Sequence, residues 1–175
     1  MVERIKNALI DCGALAYGDF TLASGKKSPY YIDIKKASTQ PYVLEAVADE
    51  MARLVHMEGT KFDRIAGVVL GSIPLAVALS LRTKVPFIMI RKEKKDHGTG
   101  KLIEGTLLEG ERVLMVEDVI TSAGSVAEAI GAVRAAGGEV STTLCVVDRQ
   151  EGGADRLNSL GVQLRSLVTA EELLR

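Results

Sequence analysis

Four runs of nearly continuous apolar sequence recur between residues 64 and 148: RIAGVVL (64–70), PFIMIR (86–91), RVLMVE (112–117) and VSTTLCVVD (140–148). Most of these residues are β-branched or long aliphatic. The runs lack the strict alternation of a strand that keeps one face in water. A strand covered on both faces reads this way, and such strands belong to parallel sheets sandwiched between helices. The segments between them fit: IPLAVALSLRT (73–83) and SVAEAIGAVRAAGG (125–138) read as helices, the second closed by glycine. Strand and helix in alternation predict an α/β domain with a mainly parallel central sheet flanked by helices. VQLRSLV (162–168) extends the pattern to a fifth strand, and AEELL ends it as a short helix. Upstream, Val2, Ile5, Leu9 and Cys12 fall on one face of a first helix. PYVLEAVADEMARLVHMEG reads as another, with Pro41 in its first turn and Gly59 past its end. The stretch 19–39 between them predicts two short strands about a turn at Ser24 and Gly25. The piece 92–110 has no regular pattern, and an irregular segment of that length in a small domain is usually functional.

The totals narrow the function classes. At 175 residues the chain makes one domain, residues 1–175. A net charge of −1 offers no basic surface for nucleic acid and no reason to expect a membrane surface. Cys12 and Cys145 stand alone, and with two histidines in the chain a Cys/His zinc site is not expected. The N-terminal MVERIKNALI is charged from the start and lacks a signal-type apolar core. No apolar run approaches the ~20 residues that span a bilayer. A cytoplasmic protein is the expectation.

Parallel α/β sheets bind ligands at the carboxyl ends of their strands, and the unusual residues cluster there. RVLMVE runs into the adjacent acids Glu117 and Asp118, then Val119, Ile120, Thr121, Ser122, Ala123, Gly124 and Ser125. Small and hydroxyl residues at a helix start make an anion site, with Ser125 placed to cap the helix. The acids prefer sugar hydroxyls or a metal-bound ligand. One loop offering both suits a phosphorylated sugar; the plain alternative is a strand end capped by polar residues. After PFIMIR comes RKEKKDHGTGK (91–101), in which Arg91, Lys92, Lys95 and His97 are flanked by Gly98 and Gly100. Most charge runs are solvated loops, but this composition also makes a mobile cationic lid able to close over an anion. In LASGKKSPYYID (22–33), Tyr31 and Ile32 offer flat and apolar contacts for a base, or else the tyrosines sit in a hairpin core. Arg149 follows VSTTLCVVD and either grips a carboxylate with its planar guanidinium or pairs with Asp148 or Glu151.

VLMVEDVITSAGS resembles the signature of type I phosphoribosyltransferases, which bind 5-phosphoribosyl-1-pyrophosphate (PRPP). The resemblance narrows with RKEKKDHG, FTLASGKKSPYY and VVDRQEGG, which are similar to the catalytic loop, base segment and carboxylate-binding arginine of orotate phosphoribosyltransferases. It spans Phe20 to Gly153 in order. It implies transfer of the phosphoribosyl group from PRPP to orotate, giving orotidine 5′-phosphate and pyrophosphate in pyrimidine biosynthesis. On the same footing, Glu117 and Asp118 meet the ribose, and Val119 through Ser125 cradle the 5-phosphate. Arg91, Lys92, Lys95 and His97 serve pyrophosphate, with Lys95, His97 and Asp118 as the catalytic set. Orotate falls to Thr121, Tyr31, Ile32 and Arg149. Magnesium is expected on the pyrophosphate rather than on protein ligands. A small hood over the base, from residues 1–40 and the C-terminal end, is implied, with a flexible lid over 91–110. So is a homodimer in which each lid covers the neighbour's site.

Two departures accompany the match. Ala23 stands where some members carry a ligand-binding lysine, leaving Lys26 or Lys27 as substitutes. In GVVLGSIPLA (67–76) Gly71 stands where some carry a lysine and Ser72 where many carry glycine. That throws more of the pyrophosphate charge onto lid and magnesium. Two rivals remain open: a purine phosphoribosyltransferase of the same fold, and a regulator that senses PRPP without catalysis. Arg149 and SGKKSPYY count against the first. The intact lid cations count against the second, and 175 residues leave no room within the chain for a DNA-binding module.

Overall fold

The computed structural model describes residues 2–21, 27–92 and 102–175. Helix α1 (Val2–Asp11) leads into the antiparallel hairpin β1 (Leu15–Thr21) and β2 (Lys27–Ile32), then the single turn α2 (Ile34–Ala37). Helix α3 (Pro41–Met57) precedes the alternating region: β3 (Arg64–Val68), α4 (Ile73–Thr83), β4 (Phe87–Ile90), β5 (Ile103–Glu104), β6 (Arg112–Ile120), α5 (Gly124–Ala135), β7 (Glu139–Asp148), α6 (Gly153–Ser159), β8 (Gln163–Thr169) and α7 (Ala170–Leu174). The main sheet has the order β5-β4-β3-β6-β7-β8. Every neighbouring pair is parallel except β4 with β5.

The apolar runs are continuous because both faces of the sheet are covered. Along β6, Leu114 and Val116 join Ile5, Leu9, Met51, Leu75 and Leu79 on the side of α1, α3 and α4. Val113 and Met115 point the other way, to Val126, Ile130 and Val133 of α5 and Leu157 of α6. Alternate residues of one strand thus fill two cores, as the period of two requires. Burial of each such aliphatic side chain contributes about 1.5–3 kcal/mol, so the sheet is a stiff platform for what lies at its strand ends.

The elements differ from the sequence reading in ways that matter for the site. β6 does not stop at the acids; it carries Glu117 and Asp118 within the strand and ends at Ile120. Pairing with β7 continues to Ile120 and Asp148 and holds those last residues extended. Helix α5 starts at Gly124, so Ser125 lies inside the helix and does not cap it; the cap is Ala123, in the left-handed region at φ 57° with no side-chain bond. The irregular piece 92–110 contains β5, which pairs with the end of β4 through Met89 with Glu104 and Ile90 with Ile103. β5, α2 and α6 are too short to show a period in sequence.

Residues 1–40 and the C-terminal end do meet. The Tyr17 hydroxyl donates to the carbonyl of Leu173, and Leu173 shares a core with Ile5 and Leu9. The first of these elements is continuous with the main core rather than a separate layer.

Candidate active site

The order of the strands dictates where a ligand fits. From β3 the chain builds outward through β4, and from β6 it builds the opposite way through β7 and β8. Between β3 and β6 the connections leave in opposite directions, and a crevice opens at such a switch point. β3 pairs with β6 only up to Gly67 and Val116. Beyond that β6 overhangs with β7 on one side and open space on the other, and the overhanging residues are Glu117 and Asp118.

A cleft lies at this point. It is lined by Glu117 to Thr121 and Ala123 to Val126 on one wall, the loop 68–72 on the other, and Lys35 and Lys92 at its margin. Of the expected phosphoribose residues, Glu117, Asp118, Val119, Ile120, Thr121, Ala123, Gly124, Ser125 and Lys92 therefore share one cavity. Ser122 is exposed and outside the lining. The first turn of α5 points its unpaired N–H groups here, and the positive end of the helix dipole comes with them. The tight entry is packed from behind by Gly153: a Cβ on it would stand 2.4 Å from Ile120 Cγ2 and 2.6 Å from the Thr121 carbonyl oxygen.

The two acids differ. Glu117 is 7% exposed, and Ser72 Oγ donates to its Oε2 at 2.6 Å. Burial pushes its pKa up to about 7 and the Asp118 charge adds to this, while the Ser72 bond opposes it. Asp118 sits nearer solvent, accepting from the Val119 N–H at 2.8 Å and facing Lys35 Nζ at 3.3 Å. The sequence reading noted Ser72 only as a departure; the fold shows it holding Glu117. Lys35 carried no motif at all, because it reaches the cleft from α2, 83 residues away from Asp118 in sequence.

Arg91 and Lys92 leave the end of β4 beside Ser125, where both line a neighbouring groove. The Arg91 N–H donates to the Leu102 carbonyl at 2.8 Å, and its guanidinium pairs with Glu104 at 3.2 Å. Both ends of the charged segment are thus fastened to the sheet edge. Lys95 and His97 lie outside the described residues, as do Ala23 and Lys26. Lys27 Nζ donates to Thr21 Oγ1 at 2.8 Å across the hairpin.

Arg149 stands at the end of β7, one strand over from the acids. Its N–H donates to the Ile120 carbonyl at 2.9 Å. Its side chain is only 11% exposed, pairs with Glu151 at 2.9 Å, and lies over the Tyr30 ring at 5.0 Å from the centroid. This is a held guanidinium rather than a loose surface one. Tyr30 is buried beneath it, whereas Tyr31 is exposed and packs on Phe20 with ring centroids 5.7 Å apart. Tyr31 and Ile32 do not line the cleft of the acids. Among the described residues no helix is long and apolar enough to cross a membrane.

Residues 39–162 match the phosphoribosyl transferase domain family. The orotate phosphoribosyltransferase of Methanosarcina mazei is 50% identical over 169 residues, covering 96% of this chain and 89% of that one. The crystal structure of orotate phosphoribosyltransferase from Aeropyrum pernix superposes with a TM-score of 0.87 at 34% identity, covering 97% and 96% of the two chains. That of the Mycobacterium tuberculosis enzyme in complex with PRPP gives 0.79 at 29% identity, covering 99% of each. With an acid pair at the switch point, a phosphate-ready helix start beside it and this likeness over nearly the whole length, the chain belongs to the orotate phosphoribosyltransferase family of phosphoribosyltransferases.

Proposed function

We propose that this protein is a pentosyltransferase that joins orotate to the phosphoribosyl group of PRPP, yielding orotidine 5′-phosphate and pyrophosphate for pyrimidine synthesis. The observation that carries the reading is the cleft at the switch point between β3 and β6, where two acids and a helix N-terminus line one cavity. An anion goes to the helix and hydroxyls go to the acids, which orients a sugar phosphate in one direction only. The 5-phosphate takes the N–H groups of 121–125, with the Thr121 and Ser125 hydroxyls beside them. The ribose 2- and 3-hydroxyls donate to Glu117 and Asp118.

The C1–oxygen bond to pyrophosphate breaks with its electron pair leaving on oxygen, and orotate N1 supplies the pair for the new C1–N bond. Positive charge grows on the sugar and negative charge on the leaving group. Asp118 faces the first; Arg91, Lys92, Lys95 and His97 face the second. His97 gives a proton to a pyrophosphate oxygen. In the cleft Glu117 is bonded to Ser72 and Asp118 to Lys35. Magnesium, expected to arrive with the pyrophosphate, would add its own neutralisation of the leaving-group charge to that of Arg91, Lys92, Lys95 and His97. Arg149, held over Tyr30, grips the orotate carboxylate, and Tyr31, Ile32 and Thr121 meet the base. The charged segment that joins β4 to β5, within 91–110, acts as the lid, the elements of 1–40 with α7 act as the hood, and a second copy of the chain completes each site. Two free cysteines fit the reducing cytoplasm.

The test follows the ultraviolet absorbance of orotate in the presence of PRPP and magnesium. Loss of signal requiring all three components, and abolished by Lys95→Ala, supports the reading. Turnover of a purine base in its place, or tight PRPP binding without turnover of any base, overturns it.

A further inference from the structure

The loop 69–72 forms one wall of the cleft, and its residues Val69, Leu70, Gly71 and Ser72 bring no positive charge. A cation nevertheless stands at that wall. Lys35 comes from α2, where Asp33 caps the turn by accepting from the Lys36 N–H and where Ile34 and Ala37 are buried. Its backbone is therefore fixed, while its side chain is 65% exposed and free to swing. The ammonium reaches Asp118 Oδ2 at 3.3 Å. It does so through a slot that Gly71 leaves open: a Cβ on Gly71 would meet Lys35 Cε at 3.3 Å and Asp118 Oδ2 at 2.2 Å. A side chain at position 71 would collide with the Asp118 carboxylate where it now stands and crowd the Lys35 stem beside it.

We infer that Lys35 is a pyrophosphate-binding residue, a cation supplied from outside the loop 69–72 through the gap at Gly71. The inference rests on the reading of the cleft as a PRPP site. With the cleft free of substrate, Lys35 is partnered by Asp118 in a half-exposed ion pair, a weak interaction that is readily exchanged. When ribose hydroxyls occupy Asp118, the ammonium is released beside the loop 69–72. It then lies within a few ångströms of the sugar's anomeric side, where the diphosphate is attached. A multiply charged anion competes for a lysine better than a single carboxylate already engaged by two hydroxyls. Lys35 therefore acts twice, holding Asp118 in place before binding and neutralising diphosphate afterwards.

Binding of magnesium pyrophosphate alone, measured by calorimetry, isolates the second role, because this ligand has no ribose and needs no turnover. Lys35→Ala is expected to weaken it about tenfold, the lower end for a hydrogen bond to a charged group. The same variant raises the KM for PRPP by a similar factor and leaves the KM for orotate within twofold, and Lys35→Arg restores most of the loss. Competition by ribose 5-phosphate, which carries no diphosphate, stays unchanged. Equal pyrophosphate affinity in parent and Lys35→Ala overturns the inference. So does a loss shared equally by orotate and accompanied by a lower melting temperature, which marks a packing role. If the parent binds pyrophosphate through Lys35 but turns over no orotate, the inference stands and the substrate assignment falls.

Discussion

Replacing Glu117 with Gln is expected to make the ligand-free protein more stable in alkali while crippling it as an enzyme. The Glu117 carboxyl is almost fully enclosed, and its pKa stands at about 7 against an ordinary 4.5. The folded protein therefore holds this proton more tightly than the unfolded chain. Between about pH 4.5 and 7 the unfolded chain releases it first, so stability falls as pH rises through that window and is level above it. The displacement amounts to about 3 kcal/mol, at ~1.4 kcal/mol for each tenfold change. Gln has the shape of the protonated acid and can still accept from Ser72 Oγ, so at pH 4.5 the variant and parent match. At pH 8 the variant is ahead by about 3 kcal/mol, or about 6–12 °C in Tm for a domain of this size. Thermal melts of both proteins at the two pH values, without ligand, read the difference directly. Turnover moves the other way: the ribose hydroxyls lose an ionised acceptor, and kcat/KM for PRPP falls by about 10- to 100-fold. The parent's alkaline-rising limb near pH 7 in kcat/KM disappears in the variant. A Tm difference that is the same at both pH values, or a variant less stable at pH 8, refutes the account of Glu117 as a charge buried at a cost.

Arg149→Ala is expected to raise the KM for orotate by about 10- to 100-fold with the KM for PRPP within twofold, and Arg149→Lys to recover little, since a point charge cannot make the paired bonds; steady-state kinetics in each substrate decide it, and an unchanged orotate KM removes Arg149 from the base site. Gly153→Ala drives a methyl into Ile120 Cγ2 and the Thr121 carbonyl; it should cost about 1–3 kcal/mol in a urea melt and weaken PRPP binding, and a silent substitution means the loop after β6 is not braced by α6. Mixing Lys95→Ala protein with Asp118→Asn protein should restore about a quarter of the parent rate if one chain's lid serves its neighbour's cleft; no rescue after verified subunit exchange places the whole site within one chain.

The fold was legible in the sequence wherever the two-sided burial of the sheet left a continuous apolar run. β3, β4, β6 and β7 were readable because Ile65, Ile88, Met115 and Leu144 must each be apolar whichever face they turn to, whereas the edge strand β8 carries Arg165 and Ser166 and left a weaker trace in Leu164, Leu167 and Val168. Boundaries were less legible where hydrogen bonding outlasts hydrophobicity. β6 continues through Glu117 and Asp118 because β7 still pairs with it, and no rule of composition predicts two acids in a strand. The same residues show why the site was half visible. Glu117, Asp118 and the helix start are contiguous, so their chemistry stood in one stretch of sequence. Ser72 and Lys35 act on those acids across 45 and 83 residues, and each alone is an ordinary serine or an ordinary lysine.

The geometry also explains why these two distant contacts divide as they do. The open side of β6 begins where β3 stops pairing, so whatever touches the acids must come over the end of β3 or from beyond the sheet. Ser72 comes over the end of β3 and takes the buried acid, where a neutral hydroxyl is tolerated and an ammonium would be stripped of water. Lys35 comes from α2 and takes the acid nearer solvent, where its charge stays hydrated. Adjacent residues on a strand face opposite ways, so one strand end presents one enclosed carboxyl and one accessible carboxyl from a single dipeptide. The pair is thereby split into an acid that titrates near neutrality and an acid held ready by a cation.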